Sequence, residues 1–407
     1  MSKFSKFGPA VLVTAAFIGP GSVITASLAG ANYGFALAWA LVFSVIATII
    51  LQEMSARLGI VTQQGLGENI RYSISHPFIK WAVIALVIAA IVIGNGAYQG
   101  GNISGASLGL ISLFSSADIS SSVTQVVFPL VIGFAAFLLL ITGSYKVIEK
   151  ALIVLVVLMS LAFILTFIVT QPDFAALFSG MLLPSIPSGA TLTVIALIGT
   201  TVVPYNLFLH AASAKEKWHS VTQLSEARKD LYVAIPLGGL ISIAIMSTAA
   251  TAFFGQQIAI NSAADLAPAL APVFGDSAKI LMSLGLFAAG ISSAVTAPLA
   301  AAFALSGILN TNGKLTSKSF KAIWLTILIL GVLLASSGYK PINIIWFAQV
   351  ANGILLPVVT IFLLLMMNSK KLGDYKNSLI QNILGIGVLF VTLLLSGRSL
   401  LAAFNLL

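Results

Sequence analysis

The sequence predicts an all-α integral membrane protein: one domain of about eleven transmembrane helices in a five-plus-five inverted repeat, with helices 1 and 6 broken. Three observations predict it. Apolar residues make up 59% of the 407 positions and charged residues only 8%, whereas about a quarter of a soluble chain is charged. Apolar runs recur at the length of about 20 residues that a helix needs to cross hydrocarbon. Two of those runs carry Pro/Gly interruptions near their middle, and they open the two halves.

The runs lie near 9–32, 35–58, 81–112, 122–142, 146–170, 189–213, 229–254, 276–310, 319–338, 341–367 and 378–401. Several exceed a minimal span, which tilt or an interfacial turn accommodates. The more polar stretch 62–76 is expected at the surface. The first repeat then covers 1–170 and the second 189–367, with 378–401 as an extra helix. The N-terminus runs from Met1-Ser2-Lys3 into the first apolar run without an Ala-x-Ala-like cleavage site, so a retained span is expected.

Lysine and arginine test the layout. With the N-terminus in the cytoplasm, the alternation leaves only Lys279, Lys340 and Arg398 of the 20 basic residues outside. Cytoplasmic loops of membrane proteins collect such an excess, so the net charge of +9 calls for no nucleic-acid partner. A multi-pass protein of the cytoplasmic (inner) membrane is expected.

Several function classes are excluded. The chain has no cysteine, which removes disulfides, thiolate metal sites and cysteine nucleophiles. His76, His210 and His219 are scattered, and no nucleophile–base set is visible in the spans. No Gly-x-x-x-x-Gly-Lys phosphate loop is present. Neither an enzyme nor an ATP-driven pump is expected, and no cofactor is called for. A sensor that kept the fold but lost transport would be favoured by charged extensions, which are not expected here.

The breaks carry the chemistry. The first span reads Gly19-Pro20-Gly21-Ser22, and the sixth reads Thr200-Thr201-Val202-Val203-Pro204-Tyr205-Asn206. Proline removes a backbone donor and clashes with the preceding turn, while glycine permits unwound backbone. Unwound backbone at membrane depth must line a cavity, because lipid cannot satisfy it. Paired interruptions at corresponding positions mark the substrate site of a secondary transporter. Proline and glycine often only kink membrane helices, as Pro129, Pro236 and Pro298 could here; the matched pair favours function.

At these breaks the sequence resembles the NRAMP family of proton-coupled divalent metal transporters. The likeness runs through Gly8-Pro9, Pro20-Gly21, Leu28-Ala29-Gly30-Ala31 and Tyr33-Gly34. It continues through Leu51-Gln52, Ala56-Arg57-Leu58-Gly59, Pro204, Asn206-Leu207 and Leu209-His210. Further matches are Gly238-Gly239-Leu240-Ile241-Ser242, Gly290-Ile291-Ser292-Ser293 and Gln349-Val350. The resemblance implies a LeuT-like fold, alternating access, a coupling ion and a divalent cation such as manganese, iron or magnesium.

The family's ligand residues are replaced in this chain. Where metal-transporting members carry Asp-Pro-Gly-Asn, this chain has Gly19-Pro20-Gly21-Ser22; for Met-Pro-His it has Val203-Pro204-Tyr205. The acidic pair of the third helix aligns with Gln99 and Asn102. Divalent cations need anionic oxygen or basic nitrogen to replace their water, and no acidic residue falls at mid-span near either break. Helix N-termini, by contrast, attract anions. The favoured expectation is therefore a small carboxylate-bearing substrate, an amino acid or organic acid, imported by ion-coupled symport. It would be held by Gly19, Gly21, Ser22, Thr200, Val203, Tyr205 and Asn206, with Gln99, Asn102, Gln349 and Asn352 as further polar contacts. Asn206 and Gln349 have an alternative role bracing unwound backbone, Tyr205 one in aromatic packing, and Gln99 and Asn102 one in interhelical hydrogen bonding. For the coupling ion, His210 is the proton candidate, with a packing histidine as the plainer reading. Ala289, Ser292 and Ser293 have the spacing of a sodium site. No resident metal is expected. The partners expected are a small-molecule substrate, a coupling proton or sodium ion and the lipid bilayer, for a monomer.

Overall fold

A computed structural model describes residues 19–114, 121–142, 146–256, 260–311 and 313–403. Among them every regular element is helical. The first half holds α1 (Pro20–Tyr33), α2 (Ala38–Thr62), α3 (Leu66–Ser73), α4 (Pro77–Phe114), α5 (Ser121–Thr142) and α6 (Lys146–Thr170). After α7 (Phe174–Leu182) come α8 (Thr191–Thr201), α9 (Pro204–Lys217) and α10 (Leu224–Phe253). Three short helical turns (Ala263–Leu266, Ala267–Ala269 and Ala271–Phe274) precede α11 (Ser277–Leu309), α12 (Lys318–Ala335), α13 (Pro341–Met367) and α14 (Leu379–Ala403).

Ten segments of the described residues are long and apolar enough to cross a membrane, α8 and α9 forming one of them. The first expected span contributes α1, and its 9–18 part lies outside the described residues, as do Gly8-Pro9. Observed ends fall within a few residues of expectation. The largest differences are α10, which starts at Leu224, and α4, whose 38 residues extend to about 57 Å at 1.5 Å per residue. The stretch expected at the surface is instead partly packed. α3 is amphipathic and buries Leu66 and Ile70, while Gly67 lies against backbone of α11 at Ala304 and Ile308. Its polar face keeps Glu68, which pairs with Lys215 of α9 at 3.1 Å.

The bundle repeats its own contacts with the halves exchanged. α1 of the first span packs on α10 of the seventh, and α9 of the sixth packs on α2 of the second. Likewise α4 of the third span packs on α13 of the tenth, and α11 of the eighth packs on α6 of the fifth. This is the pairing an inverted repeat requires. Lipid-facing side chains such as Phe134, Leu333 and Ile383 stay exposed, so burial from water does not drive these contacts; close backbone approach does. Gly30 meets the Met246 carbonyl, and Gly59 meets the Ala211 carbonyl, with no room for a Cβ at either. Ser55 Oγ donates to the Leu207 carbonyl on the same α2–α9 seam. Gly59→Val is therefore expected to cost about 1–3 kcal/mol through overpacking. It should show as a lower melting temperature and loss of monodisperse protein on size-exclusion chromatography; Gly59→Val behaving like the unaltered chain would refute the seam.

One charged cluster lies inside the fold. Glu53, on α2, accepts from Arg57 at 3.0 Å and from Arg228 of α10 at 2.8 Å. Arg57 also donates to the Tyr375 carbonyl at 2.7 Å and to Asn377 Oδ1 at 2.8 Å. Its side chain is 2% exposed. The cluster ties α2, α10 and the segment before α14 together.

Candidate functional site at the paired breaks

The start of α1 and the interruption between α8 and α9 meet. Gly19 precedes α1 in extended conformation (φ −115°, ψ −173°), and Pro20 opens the helix, where a missing N–H is least costly. α8 stops at Thr201, Val202 and Val203 leave helical geometry, and Pro204 opens α9. Pro204 has no N–H, so the Thr200 carbonyl four residues earlier lacks a helical donor. Ser22 Oγ and Thr200 Oγ1 lie 3.0 Å apart and join the two breaks directly.

Two further helices close around this junction. The Gln349 side chain from α13 lies on Gly21, its backbone carbonyl lies on Gly199, and Gly105 of α4 lies on the Pro20 ring; none of the three glycines has room for a Cβ. Gly19, Gly21, Ser22, Thr200, Val203 and Gln349 are thus brought together. Asn206, in the first turn of α9, is fully buried and neither side-chain polar atom has a protein partner. Gln349 Oε1 is likewise unpartnered. Tyr205 packs edge-on to Tyr98, with ring centroids 5.3 Å apart, so it serves at least as an aromatic wall.

Other expected residues sit apart. Gln99 turns to α11 and α12: its Nε2 donates to the Ala294 carbonyl at 2.9 Å, and its stem fills the space over Gly331. Asn102 is buried with an unpartnered Nδ2. Asn352 lines a narrow cleft on the α9 side of the junction. His210 Nδ1 donates to Gln52 Oε1 of α2 at 2.7 Å, and its Nε2 is unpartnered. Ala289 and Ser293 are buried on α11 beside Gly290, which abuts Ala106 of α4. The Ser292 carbonyl accepts from Thr296 Oγ1 at 3.1 Å. Sequence reasoning missed Asn95, buried with both amide atoms unpartnered; the signal was an amide between two glycines inside the apolar run Ile91–Gly96.

Among the described residues no three His, Cys, Asp or Glu side chains gather. The junction offers neutral oxygens: carbonyls at the end of α8, hydroxyls of Ser22 and Thr200, and the free amide oxygens of Asn206 and Gln349. Its α1 end is crowded. Pro20 has no N–H, Val23 N–H donates to the Gly19 carbonyl at 3.2 Å, Gln349 covers Gly21 and Ser22 is bonded to Thr200.

Paired broken helices in an exchanged-contact bundle define a membrane transporter of the LeuT-like class. The family model "Natural resistance-associated macrophage protein-like" matches residues 10–402. The chain belongs to the NRAMP family. It is 30% identical over 315 residues to the "Divalent metal cation transporter MntH" of Yersinia pestis (strain Pestoides F), covering 75% of this chain and 74% of that one. A crystal structure of the Eremococcus coleocola manganese transporter superposes with a TM-score of 0.76 at 20% identity, covering 98% of this chain and 88% of that chain. MhsT, solved with L-phenylalanine, superposes with a TM-score of 0.63 at 14% identity over 98% and 99% of the two chains.

The expectation of a carboxylate-bearing substrate is corrected by the metal-transporting relatives. The physical reason lies in the geometry just described. At the α1 start the Gln349 side chain takes the space beside Gly21, the Ser22 hydroxyl is engaged with Thr200 and Pro20 offers no N–H, which crowds the place where a carboxylate was expected.

Proposed function

We propose that this chain carries a divalent metal cation by alternating access, with proton coupling as in its family. Residues 1–170 and 189–367 are read as the two interleaved inverted repeats of that transporter, with 378–401 as an extra helix. The protein works as a monomer in the cytoplasmic membrane with its N-terminus inside, as the distribution of basic residues favours. The observation that carries the reading is the pair of buried, unpartnered amide oxygens, Asn206 Oδ1 and Gln349 Oε1, at the meeting of both breaks. Amide and backbone carbonyls are ligands of hard cations. Without a carboxylate or thioether, they cannot repay complete removal of the ion's water. The cargo therefore crosses partly hydrated, and a hard, strongly hydrated ion such as magnesium is accepted beside manganese. His210, with its free Nε2, is the proton-carrying residue proposed. Ala289, Ser292 and Ser293 are proposed as helix packing, and Gln99 and Asn102 as polar links between helices.

Uptake of Mn²⁺ and Mg²⁺ into proteoliposomes tests this. Both ions should enter, with little preference between them; flux no greater than in protein-free vesicles for either would overturn the reading. Asn206→Ala and Gln349→Ala should each lower kcat/KM about tenfold, equivalent to about 1.4 kcal/mol, without loss of folded protein. Unaltered uptake in both variants would remove these residues from the cation's path.

A further inference from the structure

A second polar feature adjoins the junction. The cleft on its α9 side is walled by Gly94, Asn95, Pro204, Tyr205, Asn352 and Leu355. Asn95 and Asn352 are each 1% exposed; both amide atoms of Asn95 and the Nδ2 of Asn352 have no protein partner. Gly94 keeps the space open, since a methyl there would stand 2.9 Å from Leu355 Cδ1 and 3.6 Å from Asn352 Oδ1. The remaining walls, Ala90, Ile91 and Val359 among them, are apolar and cannot satisfy either amide. Buried amides in this position require a small polar ligand with donors and acceptors, which describes water.

The location gives that ligand a role. Gly105 abuts Pro20, and Asn95 precedes Gly105 by ten residues, about 15 Å along α4. The third span runs outward when the N-terminus is cytoplasmic, so Asn95 lies on the cytoplasmic side of the junction. Asn352 follows Gln349 by three residues on the tenth span, which runs inward, and so lies on the same side.

We infer that Asn95 and Asn352 form a second station on the inward path, holding a hydration water of the cation as it leaves the junction. The inference rests on the transport reading above. The station takes an aquated divalent cation through its water, and its neutral amides let the ion go.

The chain has no cysteine, so Asn95→Cys provides a unique thiol. Purified Asn95→Cys protein should react with a cationic methanethiosulfonate reagent, and saturating Mn²⁺ should slow the reaction. In proteoliposomes Asn95→Leu should lower Mn²⁺ turnover at least tenfold with little change in KM. Asn95→Asp should lower KM about tenfold, since a carboxylate raises the site's ligand charge. Wild-type uptake in Asn95→Leu, or a thiol in the Asn95→Cys protein that does not react, overturns the station. Should Asn95→Leu fail to fold, the thiol measurement decides. Absence of Mn²⁺ and Mg²⁺ flux in the unaltered protein overturns the transport reading instead; a reactive thiol that neither ion protects then removes the cation from the station as well.

Discussion

Glu53→Ala is expected to destabilise the protein by about 3–5 kcal/mol, because it strands a buried guanidinium. Arg57 donates to Glu53 through Nε and Nη2 at 3.0–3.3 Å and is 2% exposed. Its other partners, the Tyr375 carbonyl and Asn377 Oδ1, accept hydrogen bonds but cancel no charge. Arg228 is different. Its side chain is 39% exposed, so Arg228→Ala leaves Glu53 paired with Arg57 and should cost about 0–1 kcal/mol. The two variants are to be compared by thermal unfolding in one detergent. Glu53→Ala melting alongside Arg228→Ala would show that the cluster is not buried as described.

The second large effect is a gain. Gly19→Asp should raise Mn²⁺ affinity at least tenfold, because it adds a formal negative charge at the junction, where the described residues carry none. The backbone accepts it: φ −115° and ψ −173° are ordinary extended values, and aspartate is favoured immediately before a helix. Calorimetric titration of both proteins with Mn²⁺ measures the change. The same variant should bind more and release less, so saturated turnover should fall as affinity rises. Equal Mn²⁺ affinity in the two proteins would mean that Gly19 does not face the cation.

Much of the architecture was legible because hydrocarbon imposes a length and an apolar composition on each span. Proline marked where helices begin: α1 starts at Pro20 and α9 at Pro204, and the ladder between α8 and α9 opens at Val202 and Val203. What escaped were relations between distant residues. Glu53 reads as a charge near a helix end, and only folding brings Arg228 to it. Residues 66–73 read as surface because their polar positions are averaged with Leu66 and Ile70, which share a buried face. Asn95 escapes notice because a lone amide in an apolar run usually bonds a neighbouring helix. The substrate was misjudged for a related reason. Sequence shows that carboxylates are missing and that a helix begins at Pro20. It does not show that Gln349, 328 positions after Gly21, covers that helix start.

The Arg57 contacts also order events in time. Its acceptors at Tyr375 and Asn377 lie 318 and 320 residues further along the chain. While the ribosome is still making the intervening spans, this guanidinium has no such acceptors. The segment between α13 and α14 therefore completes the hydrogen bonding of a side chain made more than 300 residues earlier, and a chain released before residue 375 holds Arg57 by Glu53 alone.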